Sequence, residues 1–140
     1  MKILLPVDGS EYTMRMLTYI AARGELLGSG HDYTAFTAVP SVPAHAARFL
    51  DRSVLDGYYR DEAEAVLAPV RKFADQRNWK LREAHAPGHA ADAIAAFAEA
   101  EKPDLIVMGT HGNSALGNMI LGSVASGVLA RCTVPVLLIR

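Results

Sequence analysis

Residues 104–112 read Asp-Leu-Ile-Val-Met-Gly-Thr-His-Gly, and this stretch decides the fold class. Its four consecutive apolar residues, 105–108, run directly into a glycine, which is typical of a strand covered on both faces of a parallel sheet. A glycine-bearing segment follows as far as Gly122, and helical spacing returns from Ser123 to Arg131. A strand, a glycine-bearing loop and a helix in this order predict a βα unit of an α/β protein.

Short apolar runs and longer helical stretches alternate through the rest of the chain. The expected strands cover residues 3–7, 33–39, 79–85, 105–108 and 136–140. The expected helices cover residues 11–27, about 58–76, about 89–101 and 123–131. Ser10 is expected to cap the first of these helices. This alternation predicts a five-stranded parallel sheet in a three-layer, Rossmann-like sandwich.

Prolines mark two places where the regular pattern is expected to change. Pro69 lies inside the helix expected at about 58–76 and should bend it. Pro40 and Pro43 should open a loop that runs to about Asp51. Because the chain shows no internal repeat and has the length of one domain, residues 1–140 are expected to form a single domain.

The composition excludes several classes of protein. Of the 140 residues 51% are apolar and 21% are charged, and no apolar run approaches the roughly 18 residues that span a bilayer. The opening residues include Pro6 and Asp8 and are typical of a buried strand rather than a signal peptide. The 14 Lys and Arg residues balance 15 Asp and Glu residues, so nothing favours a nucleic-acid or membrane partner. A single cysteine, Cys132, suits a reducing compartment, and we expect a cytoplasmic protein.

The segment after the fourth expected strand has the composition of a phosphate-binding loop. It contains Gly109, Gly112, Gly117 and Gly122, with small hydroxyl and amide side chains between them. Glycine lets the backbone approach an anion closely, and Gly122 precedes a helix whose free amides and dipole favour negative charge. The spacing is not G-x-G-x-x-G, and the lysine of a P-loop is absent. From these residues alone, phosphate binding and a purely conformational role for the glycines remain open alternatives.

The chain resembles the universal stress protein family over its whole length. ATP-binding members of that family carry G-x2-G-x9-G-[ST] after the fourth strand, and Gly109, Gly112, Gly122 and Ser123 match this motif without a gap. The opening KILLPVDGS, the segments DLIVMGTHG and LGSVASGVL, and the final PVLLIR are also similar to the family. The resemblance implies an adenine nucleotide alpha hydrolase-like fold and binding of ATP.

The same resemblance implies a role for particular residues. The motif glycines and Ser123 would contact phosphates, Asp8 the adenosine and Val39 the adenine. The implied nucleotide-binding residues are Pro6, Val7, Asp8, Val39, Met108, Gly109, His111, Gly112, Asn113, Gly122, Ser123 and Val124. The Asp8 carboxylate is able to accept a hydrogen bond from a ribose hydroxyl, and its alternative role is to cap the first helix. A strand valine such as Val39 is ordinarily part of a core.

One position departs from the family pattern, because Asn113 stands where a basic residue often follows the His-Gly pair. Without a cation in this loop, the ligand charges must be met by backbone amides, a helix end and a divalent cation. We therefore expect Mg²⁺ held mainly by the phosphates, and no metal-binding residue is predicted. Phosphoryl transfer also needs positioned cations, and His111 is expected to bond the ligand or pack beneath the loop. The sequence thus predicts no catalytic residue and no enzyme.

Three functions follow from these expectations. A nucleotide-dependent regulatory module of the stress response, with little or no hydrolysis, is the first. A slow ATPase or adenylate-transferring enzyme, and a nucleotide-free interaction protein of the same fold, are the alternatives. The apolar strand expected at 136–140, from Val136 to Arg140, would form a sheet edge open to a second copy. The resemblance also implies a homodimer through this strand.

Overall fold

In the part of the chain that the structure describes, the sheet contains five strands, and every neighbouring pair is parallel. The computed structural model describes residues 1–113 and 118–140. The strands are β1 (Lys2–Pro6), β2 (Asp32–Val39), β3 (Lys80–Pro87), β4 (Leu105–Gly109) and β5 (Val136–Ile139). Their order across the sheet is β3-β2-β1-β4-β5. The prediction of a five-stranded parallel sheet is confirmed.

Helices follow the strands, as expected of right-handed βα crossovers. They are α1 (Glu11–Ala21), α2 (Gly24–Leu27), α3 (Ala44–Ala47), α4 (Arg52–Asp75), α5 (Ala90–Glu101) and α6 (Ser123–Arg131). In the described part of the chain, no helix has the length and apolar character needed to cross a membrane.

The helices differ from the prediction in three places. The helix expected at 11–27 is divided, because Arg23 leaves the helical conformation with φ −119° and ψ 50°. The loop after Pro40 contains the short helix α3. Helix α4 begins at Arg52, earlier than expected, and continues through Pro69 as one element.

The helices cover both faces of the sheet. Alternate residues of β1 point to opposite sides, so that Ile3 and Leu5 pack with α1 and α4, whereas Leu4 packs with α5 and α6. Leu5 is fully buried, with 0% exposure. The three layers of helices, sheet and helices predicted from the sequence are therefore present.

The direction of strand addition changes at β1. The chain first adds β2 and β3 on one side of β1, and later adds β4 and β5 on the other. The carboxyl ends of β1 and β4 therefore flank a topological switch point, which is where open parallel sheets bind ligands.

Candidate functional site

The turn after β1 is tight and fixes the carboxylate of Asp8. Asp8 Oδ1 accepts hydrogen bonds from the Ser10 amide at 2.9 Å and from the buried Thr13 hydroxyl at 3.2 Å. Gly9 makes the turn with φ 78°, a conformation that glycine adopts without strain. The carboxylate is thus positioned by Ser10 and by the first turn of α1, although it caps no amide of the helix.

The segment after β4 closes over the same carboxylate. Asn113 donates from its backbone amide to Asp8 Oδ2 at 3.1 Å and from Nδ2 to the Asp8 carbonyl at 2.8 Å. A Cβ on Gly112 would lie 2.3 Å from Asp8 Oδ2, so any other residue here would displace the Asp8 carboxylate or the segment itself. We call these two hydrogen bonds between Asp8 and Asn113 the clasp, because they join loops 105 residues apart in the chain.

His111 holds the far part of this segment. Its Nε2 lies 2.6 Å from the Met119 carbonyl and its Nδ1 lies 2.9 Å from the Thr110 hydroxyl. Because a carbonyl only accepts, Nε2 donates to Met119, and in a neutral ring Nδ1 then accepts from the Thr110 hydroxyl. The ring centroid lies 5.2 Å from that of Tyr12 on α1. Both ring nitrogens are engaged within the protein.

The start of α6 lies against the end of β4. The Gly122 amide donates to the Thr110 carbonyl at 2.7 Å, and a Cβ on Gly122 would lie 2.9 Å from that oxygen. Gly122 occupies the N-cap position without a side-chain capping bond, and its carbonyl accepts from the Ser126 amide at 3.0 Å. The amides of Ser123, Val124 and Ala125, in the first turn, have no carbonyl partner within the helix and are available to an anion.

A cleft of about 430 Å³ opens between these elements. One wall is the first turn of α1, and the other is the segment after β4. It is lined by Ser10, Glu11, Tyr12, His111, Gly112, Asn113 and Met119. The Ser10 Oγ is shielded from solvent and has no hydrogen-bond partner among the described residues. The volume of the cleft is within the range of small-molecule sites.

The predicted site residues divide into groups. His111, Gly112 and Asn113 line the cleft, and Asp8 lies behind them in the clasp. The buried strand-end residues are Pro6, Val7, Val39 and Met108. Gly109 is half-buried, and a Cβ there would lie 2.9 Å from the Tyr12 Cβ. Gly122, Ser123 and Val124 form the start of α6. Residues 114–117, including Gly117 of the glycine-bearing segment, lie outside the described residues.

The first turn of α1 is the wall that sequence reasoning missed. Ser10 was expected only to cap α1, yet its side chain makes no capping bond. Glu11 and Tyr12 also line the cleft, as does Met119 from the other side. The available signal was their position directly after the first strand, at the edge where parallel strands place their ligands.

Two other kinds of site have no support in the described part of the chain. Cys132 is half-buried, and burial raises the pKa of its thiol above the usual value, which disfavours a reactive thiolate. Among residues 1–113 and 118–140, no three His, Cys, Asp or Glu side chains come together as metal ligands.

Comparisons with known sequences agree over the full length of the chain. A family model described as the universal stress protein family matches residues 1–140. Universal stress protein MJ0531 of Methanocaldococcus jannaschii is 32% identical over 99% of this chain and 81% of its own length. A universal stress protein of Thermus aquaticus is 32% identical over 99% of this chain and 97% of its own length.

Solved structures share the fold. The protein MJ0577 of Methanocaldococcus jannaschii has a TM-score of 0.82 at 25% identity, covering 99% of this chain and 94% of that chain. A universal stress protein from Archaeoglobus fulgidus in complex with dAMP has a TM-score of 0.70 at 22% identity, covering 100% and 98%. An Arabidopsis thaliana family protein with AMP bound has a TM-score of 0.68 at 16% identity, covering 99% and 90%.

Proposed function

We propose that this chain, which belongs to the universal stress protein family, binds an adenine nucleotide between the loops that follow β1 and β4. The nucleotide we propose is ATP accompanied by Mg²⁺. The observation that carries the proposal is the uncapped start of α6, packed against the end of β4 beside a cleft of about 430 Å³. Relatives of the same fold with AMP or dAMP bound support an adenine nucleotide as the ligand.

The phosphates are assigned to the segment between Gly109 and Ser123. No lysine or arginine lines the cleft in the described part of the chain. The charge of the phosphates is therefore met by the free amides of the first turn of α6, by the helix dipole and by Mg²⁺. The Mg²⁺ is held mainly by the phosphates, because Glu11 is the single carboxylate among the described lining residues.

The adenosine is assigned to the ends of β1 and β2. Asp8 Oδ2 accepts one hydrogen bond, from Asn113, and a carboxylate oxygen has a second lone pair for a ribose hydroxyl. Val39 ends β2, the strand next to β1, and supplies an apolar contact for adenine. Val39 is 3% exposed and part of the core. Its contact with adenine therefore requires the residues that cover this side chain at the end of β2 to move aside.

Binding without turnover is the activity we propose, in a protein that regulates partners according to its nucleotide state. Phosphoryl transfer depends on positioned cations and on a group that orients the nucleophile. Both nitrogens of His111 are engaged by Thr110 and Met119, so this imidazole is not free to act as a base. Phosphate release from ATP above a protein-free blank would contradict this part of the proposal.

A charge placed at the start of α6 tests the phosphate assignment. Ser123 and Ser126 are both exposed on α6, one turn apart. In Ser123→Glu, the new carboxylate lies at the positive end of the helix and repels phosphates, so ATP affinity should fall by at least about tenfold. Titration calorimetry of the nucleotide-stripped protein with Mg²⁺ and ATP measures this loss.

The matched control is Ser126→Glu, which adds the same charge beyond the free amides and should weaken ATP by less than about threefold. An acidic residue at a helix start stabilises the helix by about 0.3–1 kcal/mol, so Ser123→Glu should melt no lower than the unsubstituted protein. Absence of any binding heat in the unsubstituted protein would favour the nucleotide-free interaction protein. Equal effects of the two substitutions would remove the assignment to α6.

A homodimer through β5 completes the proposed function. In the described part of the chain β5 pairs with β4 alone, and its residues Val136, Leu137 and Leu138 are half-buried and apolar. Lysine on an edge strand opposes pairing with another edge. Val136→Lys should therefore give a monomer by light scattering at micromolar concentration, whereas Ala84→Lys on the opposite edge strand β3 should remain a dimer. A monomeric unsubstituted protein would refute the dimer.

A further inference from the structure

An arginine is held at the rim of the cleft by two residues of the cleft wall. Arg15 Nη2 lies 3.3 Å from Glu11 Oε1, and the guanidinium carbon lies 5.0 Å from the ring centroid of Tyr12. Glu11 and Tyr12 both line the cleft. Among the residues that the structure describes, no other Lys or Arg forms an ion pair or ring contact with a lining residue. Arg15 is therefore the described cation in direct contact with the wall.

The contacts of Arg15 are weak enough to be exchanged. The Arg15 and Glu11 side chains are 52% and 66% exposed, and they form an i,i+4 pair on one helix. Such a solvated pair is screened by salt and contributes little to stability. A phosphate carries more charge than a carboxylate and accepts two parallel hydrogen bonds from a guanidinium. The geometry thus allows Arg15 to leave Glu11 for a phosphate at small cost.

The cleft corresponds to the phosphate end of the proposed nucleotide site. Gly112, which the sequence motif assigns to the phosphates, lines it, and a Cβ on Gly122 would lie 3.2 Å from the Cα of His111, another lining residue. Asp8 and Val39, assigned to adenosine, do not line the cleft, and neither do the motif residues Gly109 and Ser123. Arg15 lies next to this part of the cleft, because it contacts the lining residues Glu11 and Tyr12.

We propose that Arg15 binds the terminal phosphates of the nucleotide and sets a preference for ATP over AMP. This inference rests on the proposed nucleotide site. Through Arg15, α1 would distinguish nucleotides by their number of phosphates, because AMP has no phosphate beyond the one nearest the ribose. ADP should be intermediate.

The test is titration calorimetry of Arg15→Gln with ATP, ADP and AMP at low salt, with EDTA present so that no cation bridges Glu11 and the ligand. We expect ATP to bind about tenfold more weakly and AMP to change by less than about twofold. Glu11→Gln removes the competing carboxylate from the wall and should strengthen ATP binding by about threefold.

The matched control is Arg23→Gln, beyond the end of α1. Arg23 lies over the ring of Tyr19 at 3.5 Å, and neither residue lines the cleft. This substitution removes the same charge and should leave all three affinities unchanged. Thermal melts within about 2 °C of the unsubstituted protein verify that each variant is folded.

Three outcomes overturn the inference. The first is an unchanged ATP affinity in Arg15→Gln, the second is an equal loss for ATP and AMP, and the third is the same loss in Arg23→Gln. Each would show that Arg15 does not bind the terminal phosphates and does not set the preference for ATP over AMP. In these cases the unsubstituted protein still binds, and the proposed function is retained. If the unsubstituted protein binds none of the three nucleotides in EDTA, the titrations of this protein and of Arg15→Gln are repeated with Mg²⁺. If the unsubstituted protein binds none of them there either, the proposed function and this inference fall together.

Discussion

The two loops that form the cleft are held in opposite ways. The turn after β1 is short, and the carboxylate of Asp8 accepts from Ser10 and Thr13 within five residues of itself. The segment after β4 is long; His111 contacts Met119 within it, and Asn113 reaches across to Asp8 in the other loop. The short turn supports itself, whereas the long segment is held both by its own contacts and by the turn. The order of the long segment near Asn113 should therefore depend on Asp8.

The most severe break of this arrangement is Gly112→Ala. The added Cβ would lie 2.3 Å from Asp8 Oδ2, so either the Asp8 carboxylate gives up its bonds to Ser10 and Thr13 or the segment after β4 moves away from the turn. We expect the free energy of unfolding to fall by about 1–3 kcal/mol, together with a loss of nucleotide binding. Urea denaturation and calorimetry measure the two effects.

Gly57→Ala is the control for that substitution. Gly57 lies inside α4, and a Cβ there meets nothing within 4 Å. Alanine in a helix interior should stabilise the protein by about 0.5–1 kcal/mol and leave binding unchanged. If Gly112→Ala were as stable as the unsubstituted protein, the long segment would not depend on its close approach to Asp8.

Two further substitutions, with smaller expected effects on stability, compare the two loops directly. Thr13→Val removes the buried hydroxyl that bonds Asp8 within the turn, and should cost about 1–2 kcal/mol of stability. Asn113→Ala removes only the exposed amide bond of the clasp, and should cost about 0.5 kcal/mol. Thermal denaturation ranks them, and a larger cost for Asn113→Ala would reverse the dependence described above.

The sequence predicts the sheet well because burial on both faces leaves a direct pattern. The apolar runs at β1 and β4 are continuous, since their residues face helices on both sides. The start of α4 carries no such signal. Its first residues, including Ser53 and Val54, are exposed, and Leu55 is only half-buried against the core before Tyr59 is fully buried. The pattern therefore located the fully buried part of the helix and not its first residue.

The site was predictable on one wall and not on the other. The glycine spacing after β4 indicated a backbone in close contact with a neighbouring group. The structure shows such contacts within the protein, between Gly112 and the Asp8 carboxylate and between Gly122 and the Thr110 carbonyl. The wall from α1 has no comparable pattern, because Glu11 and Tyr12 are ordinary residues of a first helical turn. Their place in the cleft depends on the order of the strands, which brings β1 beside β4.

The single tryptophan lies at the opposite end of the sheet from the cleft. Trp79 directly precedes β3 and is 8% exposed, with its ring stacked on Tyr33 at 4.8 Å and edge-on to Phe73 at 5.7 Å. In a parallel sheet the amino ends of the strands are remote from the carboxyl edge. Indole fluorescence will thus follow the loss of this aromatic cluster on denaturation, and a ligand at the other edge will not quench it. The fluorescence of Trp79 therefore measures unfolding whether or not nucleotide is present in the sample.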